Sequence, residues 1–244
     1  MKEFLKKVWR ISWKVALILF GLSIFSVILF RWVPIPFTPL MGIRMVEQLS
    51  DGKELKCKKD WEPIENISRH LPLAVVCSED QLFMEHHGFD MKAIEKAMAY
   101  NKKKKGKKVR GASTISQQTA KNVFLWQGRS WLRKGFEVYF TGLIELFWSK
   151  ERIMEVYLNV IEMGNGVYGA QAAAQQFFNK DAIKLTQGEA ALIASVLPNP
   201  RKWNPAKPSK YVRKRQNWIM RQMNHHGGRI ELEPEEEPGD DVQE

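Results

Sequence analysis

Cysteine is nearly absent: the 244 residues hold Cys57 and Cys77 alone. A disulfide-built scaffold and a cysteine-rich zinc module are thereby excluded. The two thiols either pair in an oxidising compartment or stay buried and separate, and the sequence leaves both open. Strand-like alternation is sparse and no internal repeat is found, which argues against an all-β sandwich or a solenoid. His86 and His87 have no third ligand at metal spacing, so structural roles are favoured for them. Acidic residues are outnumbered, 27 against 38 Lys and Arg, for a formal net charge of +11. The excess points to an anionic partner: phospholipid, phosphate or nucleic acid.

What is present begins with an apolar N-terminal stretch. Val15 to Phe30 is interrupted only by Ser23 and Ser26. Extended to Ile11 and Val33 it is long enough for a bilayer core of about 30 Å. Lys14 and Arg31 can snorkel, and Trp9, Trp13 and Trp32 mark the interfaces. A cleaved signal peptide is the rival reading, but bulky Phe30-Arg31-Trp32-Val33-Pro34 follows instead of small residues. Lys2, Lys6, Lys7 and Arg10 against Glu3 keep the leading end cytoplasmic and send the rest outward. The chain therefore divides into a cytoplasmic tail (1–10), an anchor (11–33), an exported domain (34–228) and an acidic segment (229–244) expected to be disordered.

Within the exported part, residues 34–39 read as a proline-rich linker and 43–49 as a short helical turn. The apolar run 71–77 is a strand or a buried helix; periodicity does not separate them. Three segments have capping-box form: Ser78-Glu79-Asp80-Gln81, Thr114-Ile115-Ser116-Gln117 and Thr186-Gln187-Gly188-Glu189. Each predicts a helix start, the third running to Leu197 before Pro198. Ile153, Val156, Tyr157, Val160 and Ile161 keep helical spacing to Gly164, and Ser209 caps a last helix to about Met223. The fold class is mainly α.

Taken singly, the polar clusters have bland explanations. Glu79 and Asp80 suit a helix N-terminus without any chemistry. Gly111 to Asn122, dense in hydroxyls and amides, is a capped polar helix, although the neighbouring 101–110 run of lysines favours an anion site. Arg133, Lys134 and Glu137 read as a solvated face with an intrahelical Lys/Glu pair. Gly164-Asn165-Gly166-Val167-Tyr168-Gly169 is formally G-x-G-x-x-G but follows a helical pattern, so a dinucleotide site is rejected and a chain turn expected. Ser50-Asp51-Gly52-Lys53 matches S-x-x-K without its S-D-N or K-T-G companions.

In order, however, these segments resemble the family 51 glycosyltransferases, the peptidoglycan glycosyltransferases. The match takes in Glu79-Asp80 with Phe83, His86 and Gly88; then Gly111 to Asn122; then Arg133-Lys134 with Glu137. Lys150 to Gly169, including Tyr157-Leu158-Asn159 and Gly164, and Ala190 to Pro205, with Pro198 and Asn204-Pro205, complete it. It covers roughly residues 60 to 205. Departures are small: Gly-Ala-Ser at 111–113 where Gly-Gly-Ser is frequent, and Ser116 where Thr is common. With no transpeptidase motifs, the chain resembles the monofunctional biosynthetic type.

The resemblance implies a lysozyme-like domain with a small membrane-proximal jaw. It implies polymerisation of lipid II into glycan strands by inverting transfer, with release of undecaprenyl pyrophosphate, in cell wall biogenesis at the bacterial inner membrane with a periplasmic catalytic domain. By residue, Glu79 corresponds to the base that activates a sugar hydroxyl. Lys121, Arg133 and Lys134 correspond to positions near the phosphates. Glu137 matches the second carboxylate, while Ser113, Gln117 and Gln118 would hydrogen-bond sugar or phosphate. No cofactor is required; a Mg or Mn ion at the pyrophosphate is an option, without a dedicated metal cage in the chain. Expected partners are lipid II, the growing glycan, the bilayer and other cell-wall synthesis or division proteins, not nucleic acid. The rivals are a lysozyme-like hydrolase with a protonated Glu79 and a non-catalytic membrane scaffold.

Overall fold

A computed structural model describes residues 1–104, 111–128, 130–228, 230 and 232. The first helix, α1 (Lys2–Leu29), is 28 residues long, about 42 Å at ~1.5 Å per residue. It is long and apolar enough to cross a membrane. The helix runs through residues 2–10, where no glycine or proline interrupts it and Lys6 pairs with Glu3 one turn away at 2.9 Å. The helix ends at Leu29, and Val33, held out of helical backbone by Pro34, lies beyond it.

A short extended segment leads to α2 (Pro39–Ser50), capped by Thr38 with proline at its first position. It is longer than the turn expected at 43–49. The apolar run resolves as α3 (His70–Glu79), in which every residue from Leu71 to Cys77 is buried. A helix apolar all round belongs in a core, and α3 packs on α9 (Gln187–Val196) and α10 (Lys210–His225). The Ser78-Glu79-Asp80-Gln81 box is therefore corrected. It ends α3 rather than opening a helix, and Asp80 is the C-cap. Seven buried side chains before it hold the helix in place, which outweighs a local capping preference.

Between lie α4 (Met91–Lys103), α5 (Ile115–Phe124), α6 (Trp131–Phe147), α7 (Lys150–Val160) and α8 (Ala170–Phe178). Helix α5 packs on α6 and α7. The capping boxes at Thr114 and Thr186 are both formed, and Ser209 caps α10 as expected.

The helical pattern expected to reach Gly164 stops at Val160. The next residues form a hairpin of β2 (Glu162–Gly164) and β3 (Val167–Tyr168), joined in parallel by β1 (Lys58–Lys59), order β1-β3-β2. The glycines serve close packing. At Gly166 (φ 69°) a Cβ would lie 2.3 Å from the Lys56 carbonyl oxygen, and at Gly169 (φ 84°) 2.9 Å from that of Asn159. Protein backbone already fills the space a phosphate would need, in keeping with the rejected dinucleotide reading.

The two thiols are unpaired, Cys57 exposed and Cys77 buried. Of the segment 229–244, Ile230 and Leu232 are described and pack against the core. The remainder of that expectation, and residues 105–110 of the lysine run, lie outside the described residues.

Candidate active site

The end of α3 delivers two adjacent carboxylates to different tasks. Asp80 is buried, its carboxylate 2.9 and 3.1 Å from His86 Nε2, and it accepts the Ile115 N–H at 3.0 Å. It thus ties the loop after α3 to the start of α5, where Thr114 Oγ1 also donates to the Gly88 carbonyl at 2.7 Å. His86 is structural, as expected.

Glu79 is held more loosely. Oε1 accepts from Ser78 Oγ at 2.8 Å and from an Arg215 guanidinium N–H at 3.3 Å. The same Arg215 nitrogen donates to Ser78 Oγ at 3.1 Å. Oε2 accepts a long 3.4 Å hydrogen bond from Gln118 Nε2. The side chain keeps 15% of its surface exposed, so a small polar group can approach Oε2. Beneath it, the fully buried Tyr157 hydroxyl has its pKa pushed well up by burial first, then by the charges of Glu79 and Asp80.

One turn along α5 from Gln118 stands Lys121, about 4.5 Å further on the same face. Burial pulls the Lys121 ammonium below the ordinary lysine range; Glu137 opposes that, while Arg133 and Lys134 add to it. Glu137, on α6, is clamped within its own helix by Arg133 at 2.7 Å and Lys134 at 2.5 Å. The expected Lys134–Glu137 pair is present, but the face is not solvated: Glu137 is buried and Arg133 nearly so, and three cations gather around one carboxylate. Alpha-6 can place them there because Ser130 caps its N-terminus and Phe140, Thr141 and Ile144 bury its core face.

Gln118 and Lys121 therefore connect Glu79 to the Arg133, Lys134 and Glu137 cluster. Gln117 stands apart: it is buried and its Oε1 accepts the Thr114 N–H at 3.1 Å inside the capping box. Ser113 is exposed just before α5. Sequence reasoning missed Arg215, read Ser78 only as a helix cap, and did not foresee a part-buried network in which Lys150 Nζ reaches Glu145 at 2.9 Å and the His86 carbonyl at 2.6 Å, with Ser116 Oγ on the same Glu145. Arg215 had a faint signal. It lies one turn from Val212 on the stripe that continues through Gln216, Ile219 and Met223, all buried.

The donor set does not suit a resident divalent cation. Both Glu137 oxygens are held by cations and both Asp80 oxygens by His86, and among the described residues no three metal-ligating side chains cluster. Such an ion would need several oxygen ligands, and apart from Glu79 Oε2 the carboxylate oxygens of Glu79, Asp80 and Glu137 are already engaged.

A family described as transglycosylase matches residues 46–224. A curated protein of Bacteroides thetaiotaomicron is 59% identical over 220 residues, covering 90% of this chain and 88% of its own. One of Pseudomonas putida is 56% identical over 206 residues, covering 84% and 86%, and one of Stutzerimonas stutzeri is 51% identical over 215 residues, covering 88% of each. All three carry the name biosynthetic peptidoglycan transglycosylase.

Proposed function

The chain belongs to the transglycosylase family and is a peptidoglycan glycosyltransferase; from that premise we propose that it polymerises lipid II, with Glu79 as the base. The observation that carries this reading is the α5 bridge. Through Gln118 and Lys121 it joins a loosely held carboxylate to a three-cation cluster. A glycan without phosphate gives that cluster no ligand.

In the proposed reaction the 4-hydroxyl of the GlcNAc of one lipid II attacks C1 of the MurNAc at the lipid-linked end of the growing strand. Glu79 Oε2 takes the hydroxyl proton as the new O4–C1 bond forms, since a sugar hydroxyl is a poor nucleophile without a base in reach. The C1–O(phosphate) bond breaks with its electron pair on the leaving undecaprenyl pyrophosphate, and C1 inverts. Lys121, Arg133 and Lys134 offset the charge that develops there. Glu137 fixes two of those cations in place. Ser78 and Arg215 hold Oε1, so Oε2 is the oxygen turned to the acceptor. Gln118 hydrogen-bonds sugar near the base, and exposed Ser113 is available at the start of α5; Gln117 contributes chiefly through the cap. No step needs a metal ion.

Helix α1 serves as a single-pass anchor in the bacterial inner membrane. The leading Lys and Arg residues lie in the cytoplasm and the catalytic domain in the periplasm. The test is incubation of the full-length protein with lipid II, products resolved by gel, beside Glu79→Gln. Polymer from the wild type alone is expected. Shortening of preformed glycan with no polymer made would replace this reading with a hydrolase.

A further inference from the structure

Helix α10 carries charge of one sign. It holds Lys210, Arg213, Lys214, Arg215 and Arg221 and no Asp or Glu. Val212, Gln216, Ile219 and Met223 bury one face. At about 100° per residue, Lys210, Lys214, Asn217 and Arg221 fall on the opposite face. With Arg213 and Pro208 they line a shallow recess of about 510 Å³. Arg215 turns inward to Glu79 instead. Among the described residues the four outer cations meet no carboxylate; Arg213 donates to Gln216 Oε1 at 3.1 Å. Lys210 repels Arg213 and Lys214, three and four residues on, which weakens the helix. No step of the proposed reaction uses this face.

The complementary charge lies in the same chain. Of the twelve residues 233–244, seven are Asp or Glu and none is Lys or Arg. The point from which they leave is fixed. Ile230 and Leu232 pack on the core and line a recess with Thr186, the cap of α9. The next residue, Gln187, donates to Asn224 Oδ1 at 2.8 Å, close to the end of α10. Arg221 lies one turn before Asn224. From Arg221 back to Lys210 the helix measures about 16 Å, and twelve residues span up to about 40 Å. The segment is therefore long enough to run back along the whole cationic face.

We propose that residues 233–244 dock on the outer face of α10 in the same molecule, as a built-in polyanion that covers it. Their carboxylates offset the repulsion along α10 and close the face to polyanions from outside. A short tether gives the segment an effective concentration on the order of millimolar, which an outside competitor has to exceed. The pairs are exposed, so salt screens them and the cover opens as ionic strength rises. The inference does not depend on the lipid II reading, since it concerns the side of α10 turned away from Glu79.

Two measurements on the protein in detergent test it. In the first, a mixture of ¹⁴N- and ¹⁵N-labelled full-length chains is treated with a carbodiimide, which joins a carboxylate to a lysine only where they touch. Peptide mass spectrometry is expected to find Lys210 or Lys214 joined to the 233–244 segment within one isotope, and the links to fade in 1 M salt. This arm needs no variant. In the second, a fluorescent peptide of residues 233–244 is titrated into the full-length chain and into a chain stopped after Leu232. The stopped chain should bind it about tenfold more tightly, and Lys210→Gln, Arg213→Gln, Lys214→Gln and Arg221→Gln together should abolish that gain. Links that join only different isotopes would give the face to a second copy and overturn the proposal. Links to Lys102, Lys103 or Lys104 in place of α10, or none at all, would overturn it too. Equal peptide binding by both chains would show the face open to any polyanion, again against the proposal.

Discussion

Two carboxylates divide the site, and they are held in opposite ways. Glu79 is supported by groups from α3, α5 and α10, with one oxygen bound closely and the other by a 3.4 Å contact. Glu137 is gripped on both oxygens by cations of its own helix and is 5% exposed. A base must exchange a proton, so one oxygen has to be free to meet a partner. A carboxylate that organises cations must instead stay ionised and still. Placement on the helices agrees with this. Glu79 ends α3 where three elements converge, whereas Glu137 sits inside α6 with its ligands at i−4 and i−3, a spacing that needs no tertiary help.

The sharpest way to break the contrast is Glu79→Gln. It preserves size and hydrogen bonding but removes the proton acceptor. Polymerisation measured with lipid II should fall by about 10³-fold or more, with thermal midpoint close to wild type. Wild-type-like turnover would deny Glu79 the base role.

Glu137→Gln comes next. It should lower kcat about 10²-fold by loosening Arg133 and Lys134, and unlike Glu79→Gln it should also cost stability. Arg133 is 12% exposed and Lys134 41%, so solvent screens part of the loss. About 1–3 kcal/mol is expected in denaturant unfolding. If the two variants behaved alike in stability, the distinction between poised and clamped carboxylates would fail.

The third test is the pH response of Lys121. Burial lowers its pKa in the folded chain, whereas an exposed lysine titrates near about 10.4. Between those two values the unfolded chain holds a proton that the folded chain has released. This group's contribution to stability therefore rises with pH across that window. Activity should move the other way, because neutral Lys121 no longer offsets phosphate charge. Lys121→Arg keeps the charge at high pH and should extend the alkaline limb of kcat to higher pH. An unchanged limb would remove Lys121 from the phosphate cluster.

What could be read from sequence follows the same division between local and distant partners. The Arg133, Lys134 and Glu137 triad and the Thr114 and Thr186 caps were legible because every partner lies within four residues. The box at Ser78 used the same pattern and misled, since its backbone was already committed to the buried helix α3. Glu79 and Asp80 look equivalent in a string of letters. Only the position of α5 gives Asp80 to Ile115 and His86 and leaves Glu79 for Gln118. The strands β1 and β3, two residues each, are too short to show any period.

Arg215 is the extreme case, 136 residues from the carboxylate it touches, and it sets the smallest expected effect. Its guanidinium donates at 3.1 Å to Ser78 Oγ and at 3.3 Å to Glu79 Oε1, and its side chain is 24% exposed. The Ser78 hydrogen bond to Glu79 at 2.8 Å and the Gln118 contact survive its removal. Arg215→Gln should therefore reduce kcat only about 3- to 10-fold, with KM nearly constant, since it orients the base without touching substrate. Arg215→Lys should recover part of the loss, because one donor suffices for Oε1. A rise in KM at unchanged kcat would place Arg215 on the substrate instead. Glu79 would then lose its α10 support, and the two carboxylates would differ only in how many cations each one holds.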